Sequence, residues 1–207
     1  MNTVVIGATS ASGKVLVKKL LTAGYSVTAI VRSPEKMEQK SSLLQVVQAD
    51  VRQKDSFASA IKKDDVVFSF LGPKGDVKKI AAEGTQNIID VMKTQGAQRL
   101  IVISVAGIAV ANDNREKTFI DKLLRFFLRD MYDDREAQLE ALRNSGIQWT
   151  ALRVPRLTDG TGGDAAKAFF GKPSPSMKLS RSSLADFMIT EAQKNKWVGK
   201  APIVAEK

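Results

Sequence analysis

The run Thr3–Ile6 followed by Gly7-Ala8-Thr9-Ser10-Ala11-Ser12-Gly13 constrains this chain more than any other stretch. A short apolar segment rich in β-branched residues ends on a glycine. Helical periodicity then begins, with Lys14–Ala23 turning Val15, Leu16, Leu20 and Ala23 toward a core and Gly24 closing the helix. Gly7 permits a tight turn, and Gly13 lets a helix lie close on the preceding strand. The first helical N–H groups then face outward at the positive end of the helix dipole, where a phosphate would gain hydrogen bonds. Ser10 stands where a middle glycine is usual. Its side chain is tolerated if it points away, and its hydroxyl can bond a phosphate oxygen. An ordinary strand–helix turn uses the same small residues. The location at the first βα junction is what weights the phosphate reading.

The rest of the chain repeats the alternation. Ser26–Val31, Leu43–Val47, Val66–Leu71, Leu100–Val105, Gln148–Leu152 and Ala201–Ala205 read as strands. Helices are expected from Pro34, around Ser56–Ile61, over Ala81–Gln95 up to Gly96, and over Ser182–Lys194. Between them lies a long helical region, Glu116–Asn144, with a possible break near Arg129–Asp133. Apolar strands alternating with such helices indicate an α/β fold, a doubly wound parallel sheet covered on both faces. No repeat or linker divides the chain, so residues 1–207 are expected to form a single Rossmann domain with a small C-terminal substrate-side region. The Gly-, Pro- and Ser-rich stretch 155–176 reads as a lid over a substrate.

The chain has 207 residues and contains neither cysteine nor histidine. That excludes disulfides, thiolate catalysis and imidazole acid–base chemistry, and no metal site is expected. The formal charge of +10 suits anionic small molecules. No basic run is long enough to indicate nucleic acid, and no segment is apolar enough to span a bilayer. Residues 2–6 are too few for a secretion signal, so the expected compartment is the cytoplasm.

In a dinucleotide fold the end of the second strand faces the adenosine ribose. An acidic residue there bonds the 2′-hydroxyl of NAD, whereas arginine accommodates the 2′-phosphate of NADP. This chain has Arg32 and Ser33 at that point, with Lys36 nearby. A forked guanidinium and an ammonium both suit a phosphate, so NADP(H) is expected over NAD(H); a solvated basic turn is the plainer reading. Asp50 and Val51 are expected beside the adenine, and Leu71 and Gly72 beside the pyrophosphate and ribose.

Together the segments GATSASGK, AIVRSPEK, QADVRQKDS, EGTQNIIDVMKTQGAQRLIVISVAG, EALRNSGIQWTALRVPRLTDG and SRSSLADFM resemble the atypical short-chain dehydrogenases/reductases. The branch they most resemble is the one holding biliverdin-IXβ (flavin) reductases and bacterial NAD(P)H-binding relatives. The resemblance implies a Rossmann domain, NADP(H), and hydride transfer to a flavin, tetrapyrrole or quinone-like acceptor. It also implies that Ser104 is the active-site serine, able to bond a substrate carbonyl or position a water. Val154 and Pro155 would line the nicotinamide side. Arg156 stands where this branch commonly has a histidine. It would hold an anionic acceptor or stabilise developing charge, or it is a surface charge.

The wider family's Tyr-x-x-x-Lys pair is not matched. Tyr132 is followed four residues later by Glu136, which would push a tyrosine pKa the wrong way. Tyr132 is therefore read as packing or surface. The apolar stripe Phe119, Ile120, Leu123, Leu124, Phe127 and Leu128 is expected to pack on the sheet; a substrate wall, dimer surface or membrane contact are the alternatives. Asp133 and Asp134 do not face each other on a helix and make no carboxylate pair.

Three functions are compatible with these residues. The first is an NADPH-dependent reductase acting on a small-molecule hydride acceptor, as a monomer or weak homodimer. The second is a non-catalytic NADP(H) sensor resembling the NmrA-like branch. The third, a nucleotide-sugar epimerase or dehydratase, is disfavoured by the missing Tyr–Lys pair and the lack of a large sugar-binding domain.

Overall fold

The computed structural model describes residues 1–72, 79–108, 110, 125–160, 165–170 and 178–206. Ten strands occur among them: β1 (Asn2–Ile6), β2 (Ser26–Val31), β3 (Leu44–Gln48), β4 (Val66–Ser69), β5 (Arg99–Val105), β6 (Gln148–Val154), β7 (Arg156–Thr158), β8 (Lys167–Phe169), β9 (Lys178–Ser180) and β10 (Ile203–Ala205). The longer helices are α1 (Ala11–Thr22), α2 (Ala81–Gln95), α3 (Arg129–Arg143) and α4 (Arg181–Lys194).

Eight strands form one sheet in the order β3-β2-β1-β4-β5-β6-β10-β8. The first six positions follow the Rossmann strand order, with the chain reversing direction across the sheet at β1 and β4. All pairs are parallel except β8 against β10. Side chains alternate across the sheet. Val5, Phe68, Ile101 and Leu152 pack toward α1 and α4. Val4, Val67, Val102 and Ala151 pack toward α2 and α3. Both faces are thus covered, which is why β1, β4 and β5 are almost wholly apolar.

Helix boundaries have local causes. Ser10 caps α1, its Oγ accepting from the Gly13 amide at 3.0 Å. Gly24 and Gly96 follow α1 and α2 with φ of +78° and +79°, a conformation that costs glycine little. Ser180 caps α4 in the same way as Ser10 caps α1.

Several expected elements are corrected. Ala23 lies at the C-cap of α1 and is exposed, and Val17 takes its place in the core. The helix expected around Ser56–Ile61 is two short 3-10 turns, Lys54–Ser56 and Ala58–Ala60. The Ser56 hydroxyl donates back to the carbonyls of Asp50 and Gln53, which competes with helix propagation. Within 155–176 the described residues include strands β7 and β8 rather than a continuous loop. Residues 161–164 and 171–176 of the expected lid lie outside the described set.

The long helix expected over Glu116–Asn144 is observed as a helical turn at 125–127 and then α3, with the break at Leu128. The two described residues of the expected apolar stripe do not pack on the sheet. Phe127 is 72% exposed and Leu128 is 44% exposed, beside Phe126 at 78%. Phe119, Ile120, Leu123 and Leu124 lie outside the described residues.

An ion pair links β5 to α4 through the interior. The Arg99 guanidinium donates to Glu191 at 2.7 Å and to Thr150 Oγ1 at 2.9 Å. Both charged side chains are buried. Burial pulls the Arg99 pKa down, and Glu191 opposes that shift. Glu191→Ala leaves a buried cation unpaired, so a loss of about 3–5 kcal/mol in denaturant unfolding is expected. A loss below about 1 kcal/mol would show that water reaches Arg99.

Candidate functional site

An open groove of ≈ 280 Å³ runs along the carboxyl ends of β3, β2, β1 and β4. Among the sequence-expected positions, Gly7, Thr9, Ser10, Arg32, Ser33, Lys36, Asp50, Val51, Leu71 and Gly72 all line it. The strand order explains why residues so far apart in sequence converge. Neighbouring strand ends lie roughly 4.8 Å apart, and the groove follows them as Asp50, Arg32, Gly7, Leu71.

Three other expected residues build the groove without lining it. Ala11, Ser12 and Gly13 form the first turn of α1. Gly13 is the tight contact: a Cβ there would fall 2.4 Å from the Gly7 carbonyl oxygen and 2.9 Å from Ala8 Cα. Gly7 itself has φ of +76°, and a Cβ would meet the Phe70 carbonyl oxygen at 3.1 Å. The loop therefore lies flush on the sheet end as a shallow cradle, with no room behind it for a side chain at Gly13. The Ser10 hydroxyl accepts from Gly13 and retains its own hydrogen for a ligand oxygen.

The groove has a cationic end. Arg32 and Lys36 are exposed there beside Ser33. Asp50 is the acidic lining residue, and Arg52 engages it: the Arg52 Nε lies 3.1 Å from each carboxylate oxygen. This contact, with Arg32 nearby, holds the Asp50 carboxyl below the usual carboxylate range. The cradle fits the diphosphate of a dinucleotide, and the cationic end fits a further anionic group.

Ser104, Val154, Pro155 and Arg156 lie beyond the groove lining. They sit at the ends of β5 and β6, the next two strands in the same direction. Ser104 shares the α2/α3 face with Val102. It is 3% exposed, and its Oγ has no hydrogen-bond partner. Val154 points to the opposite face and is buried in that core. Arg156 is exposed on β7, paired in register with Lys178. Tyr132 is buried, its hydroxyl against Gly107, where a Cβ would fall 2.4 Å from the phenolic oxygen. Glu136 is engaged by Arg125 at 2.6 and 2.8 Å. The expectation that Tyr132 is a packing residue matches this placement.

Sequence reasoning missed the apolar walls, Ile30, Phe70 and Ile80 among them. It also missed the buried polar residues of α3. Arg135 donates to the carbonyl oxygens of Leu71 at 2.6 Å and Ile103 at 3.0 Å, and to Gln138 at 3.0 Å. Asp134 accepts from the Ala81 and Ala82 amides, both at 2.9 Å. The available signal was spacing: Tyr132, Arg135, Leu139 and Leu142 share one helical face.

Comparison with known proteins agrees with this architecture. Residues 7–195 match the family described as NAD(P)H-binding. An anthocyanidin reductase of Arabidopsis thaliana is 30% identical over 133 residues, covering 56% of this chain and 39% of that protein. An uncharacterized chloroplastic protein of the same plant is 33% identical over 159 residues, covering 72% of this chain and 56% of that protein. The chain thus spans between two fifths and just over half of these relatives.

Among solved structures, a short-chain dehydrogenase/reductase from Veillonella parvula in complex with NADP superposes with a TM-score of 0.82 at 16% identity, covering 99% of this chain and 94% of that one. The anaerobilin reductase ChuY of Escherichia coli O157:H7 gives 0.80 at 16% identity, covering 100% and 97%. At such identities these two structures speak to the fold.

The Gly13 contact is testable. Gly13→Ala forces α1 off the sheet against backbone that cannot yield, so a loss of about 1–3 kcal/mol in stability is expected, together with weaker dinucleotide binding. An unchanged unfolding midpoint would refute the close packing.

The chain belongs to the NAD(P)H-binding family.

Proposed function

We propose that this protein is an NADPH-dependent oxidoreductase that passes hydride to a flavin, quinone or tetrapyrrole-like acceptor. The observation that carries the reading is the cationic end of the groove, where Arg32, Ser33 and Lys36 stand at the end of β2 and the lining carboxylate, Asp50, is held by Arg52. Arg32 offers a forked donor to a 2′-phosphate, and Lys36 adds a mobile charge. The Gly7–Gly13 cradle takes the diphosphate, which directs the remainder of the ligand past Leu71 and Gly72 toward Ser104. When bound, the reduced nicotinamide supplies the hydride.

Ser104 keeps a buried hydroxyl without a partner, which is costly unless a ligand satisfies it. In this reading it donates a hydrogen bond to the ligand held there. Pro155 bounds the same end in this reading, and exposed Arg156 meets an anionic acceptor, whereas Val154, expected there too, is buried in the core of the opposite face. The proton that accompanies the hydride comes from water, since Tyr132 is packed behind Gly107. The reductases among the relatives support redox chemistry, and the NADP complex of the Veillonella protein supports the cofactor. The reading takes a small molecule as partner rather than nucleic acid or membrane. No helix among the described residues is long and apolar enough to cross a membrane. A cytoplasmic monomer or weak homodimer completes the proposal.

A second reading rests on the same Tyr132. With no Tyr–Lys pair among the described residues, the protein could bind NADP(H) as a sensor and catalyse nothing. The two are separated by following NADPH absorbance with FMN, a quinone and biliverdin in turn. Saturable oxidation with any acceptor is expected; tight NADPH binding with no turnover across the panel establishes the sensor instead.

The cofactor assignment has its own measurement. Arg32→Ala should weaken NADPH by about 1–3 kcal/mol, through loss of charge-assisted hydrogen bonds, and leave NADH nearly unchanged. Equal losses for both would sink the 2′-phosphate role.

A further inference from the structure

The β4–α2 connection begins at Leu71-Gly72 and ends at Ile80. All three of these residues line the groove. Its two ends are held from outside the groove by consecutive residues of α3. At the first end, the Arg135 guanidinium donates to the Leu71 carbonyl oxygen at 2.6 Å. A Cβ on Gly72 would stand 3.3 Å from the same guanidinium nitrogen, so the cation lies directly beneath the glycine. At the second end, the Asp134 carboxylate takes the Ala81 and Ala82 amides, the first two of α2. That carboxylate occupies the positive end of the α2 dipole, leaving those amides to no external anion.

Both residues are buried, at 5% exposure each. Burial pulls the Arg135 pKa down to about 10, which leaves it a cation at neutral pH. A second donation ties Arg135 to Ile103, the residue before Ser104 on β5. Gln138 orients the guanidinium and in turn bonds Thr85 on α2. A buried charged network of this kind is expensive to assemble, and hydrophobic residues would serve packing alone better. Its geometric product is a fixed relation between three things: the groove edge at Gly72, the first turn of α2, and the end of β5.

We propose that Asp134 and Arg135 are positioning residues, a clamp from α3 that sets Leu71, Gly72 and the first turn of α2 against the bound dinucleotide and fixes their distance from Ser104. The inference rests on the dinucleotide reading of the groove. The clamp's backbone hydrogen bonds reach the β4 end, the β5 end and the first turn of α2. The β1, β2 and β3 ends, with Gly7, Arg32 and Asp50, do not touch it.

That asymmetry supplies the test. Adenosine 2′,5′-bisphosphate reaches the β1–β3 half of the groove and stops short of Gly72, whereas NADPH spans both halves. Calorimetric titration of each ligand is carried out on the wild type, Arg135→Met, Arg135→Lys and Asp134→Asn. Arg135→Met is expected to weaken NADPH by about ten- to a hundredfold through the loss of charge-assisted bonds to two carbonyls, and to leave the bisphosphate within about twofold. Arg135→Lys, which can still reach one carbonyl, should recover part of the NADPH affinity. Should Arg135→Met fail to fold, Asp134→Asn carries the same comparison, since it keeps the side-chain shape and loses one of two acceptors. Equal weakening of both ligands overturns the clamp, because a general structural role predicts it. Unchanged NADPH binding in the folded variants overturns it as well. A wild-type protein that binds neither ligand overturns the reading of the groove itself, and the clamp falls with it.

Discussion

A Cβ on Gly13 would fall 2.4 Å from the Gly7 carbonyl oxygen, so the start of α1 leaves no room for a side chain against the loop. Everything in the groove depends on it. Because α1 starts flush on β1, its first amides open at the sheet end rather than to one side. Ser10 can then cap the helix and still face the groove. Displacing α1 by the width of a methyl group would move the cradle away from Arg32 and Asp50, which reach it from β2 and β3. The close contact is thus the geometric origin for the whole row of strand ends.

A second level of organisation comes from α3. By pattern it is a polar helix, yet it buries Asp134, Arg135 and Gln138. Asp134 and Arg135 bond to backbone: two amides of α2, one carbonyl after β4, one carbonyl of β5. Such bonds carry directional information that apolar packing lacks, so they fix loop ends as well as fill space. Arg153 works similarly on β6. It is fully buried, and it donates to the carbonyls of Ala201 and Ile108. The β5–β6 half of the sheet is therefore held by arginines, and the β1–α1 junction by glycines.

The division between what was legible in the sequence and what was not follows from the range of the forces. Strands β1 and β2 and helix α2 declare themselves through local patterns, and their observed limits match the expected ones closely. The groove residues were legible because each lies at the end of a strand. A doubly wound sheet brings strand ends together whatever the side chains are. The helix expected around Ser56–Ile61 failed because one serine hydroxyl outcompeted the helical pattern. At the end of the expected apolar stripe, Phe127 and Leu128 are exposed instead of packed on the sheet, because they stand at the break before α3.

The sequence by itself determined the fold class, the position of the glycine-bounded loop at the first βα junction and the sign of charge at the end of β2, because these rest on short-range geometry and on residue chemistry. Only the tertiary structure decided where Asp134 and Arg135 point, that Tyr132 is packed behind Gly107, and that the Ser104 hydroxyl is buried without a partner. Each of those outcomes depends on contacts between elements distant in sequence. A helical pattern shows that a face is shared but not which loop it meets. The Gly7–Gly13 junction needed only its neighbours to be understood, whereas α3 needed the whole sheet.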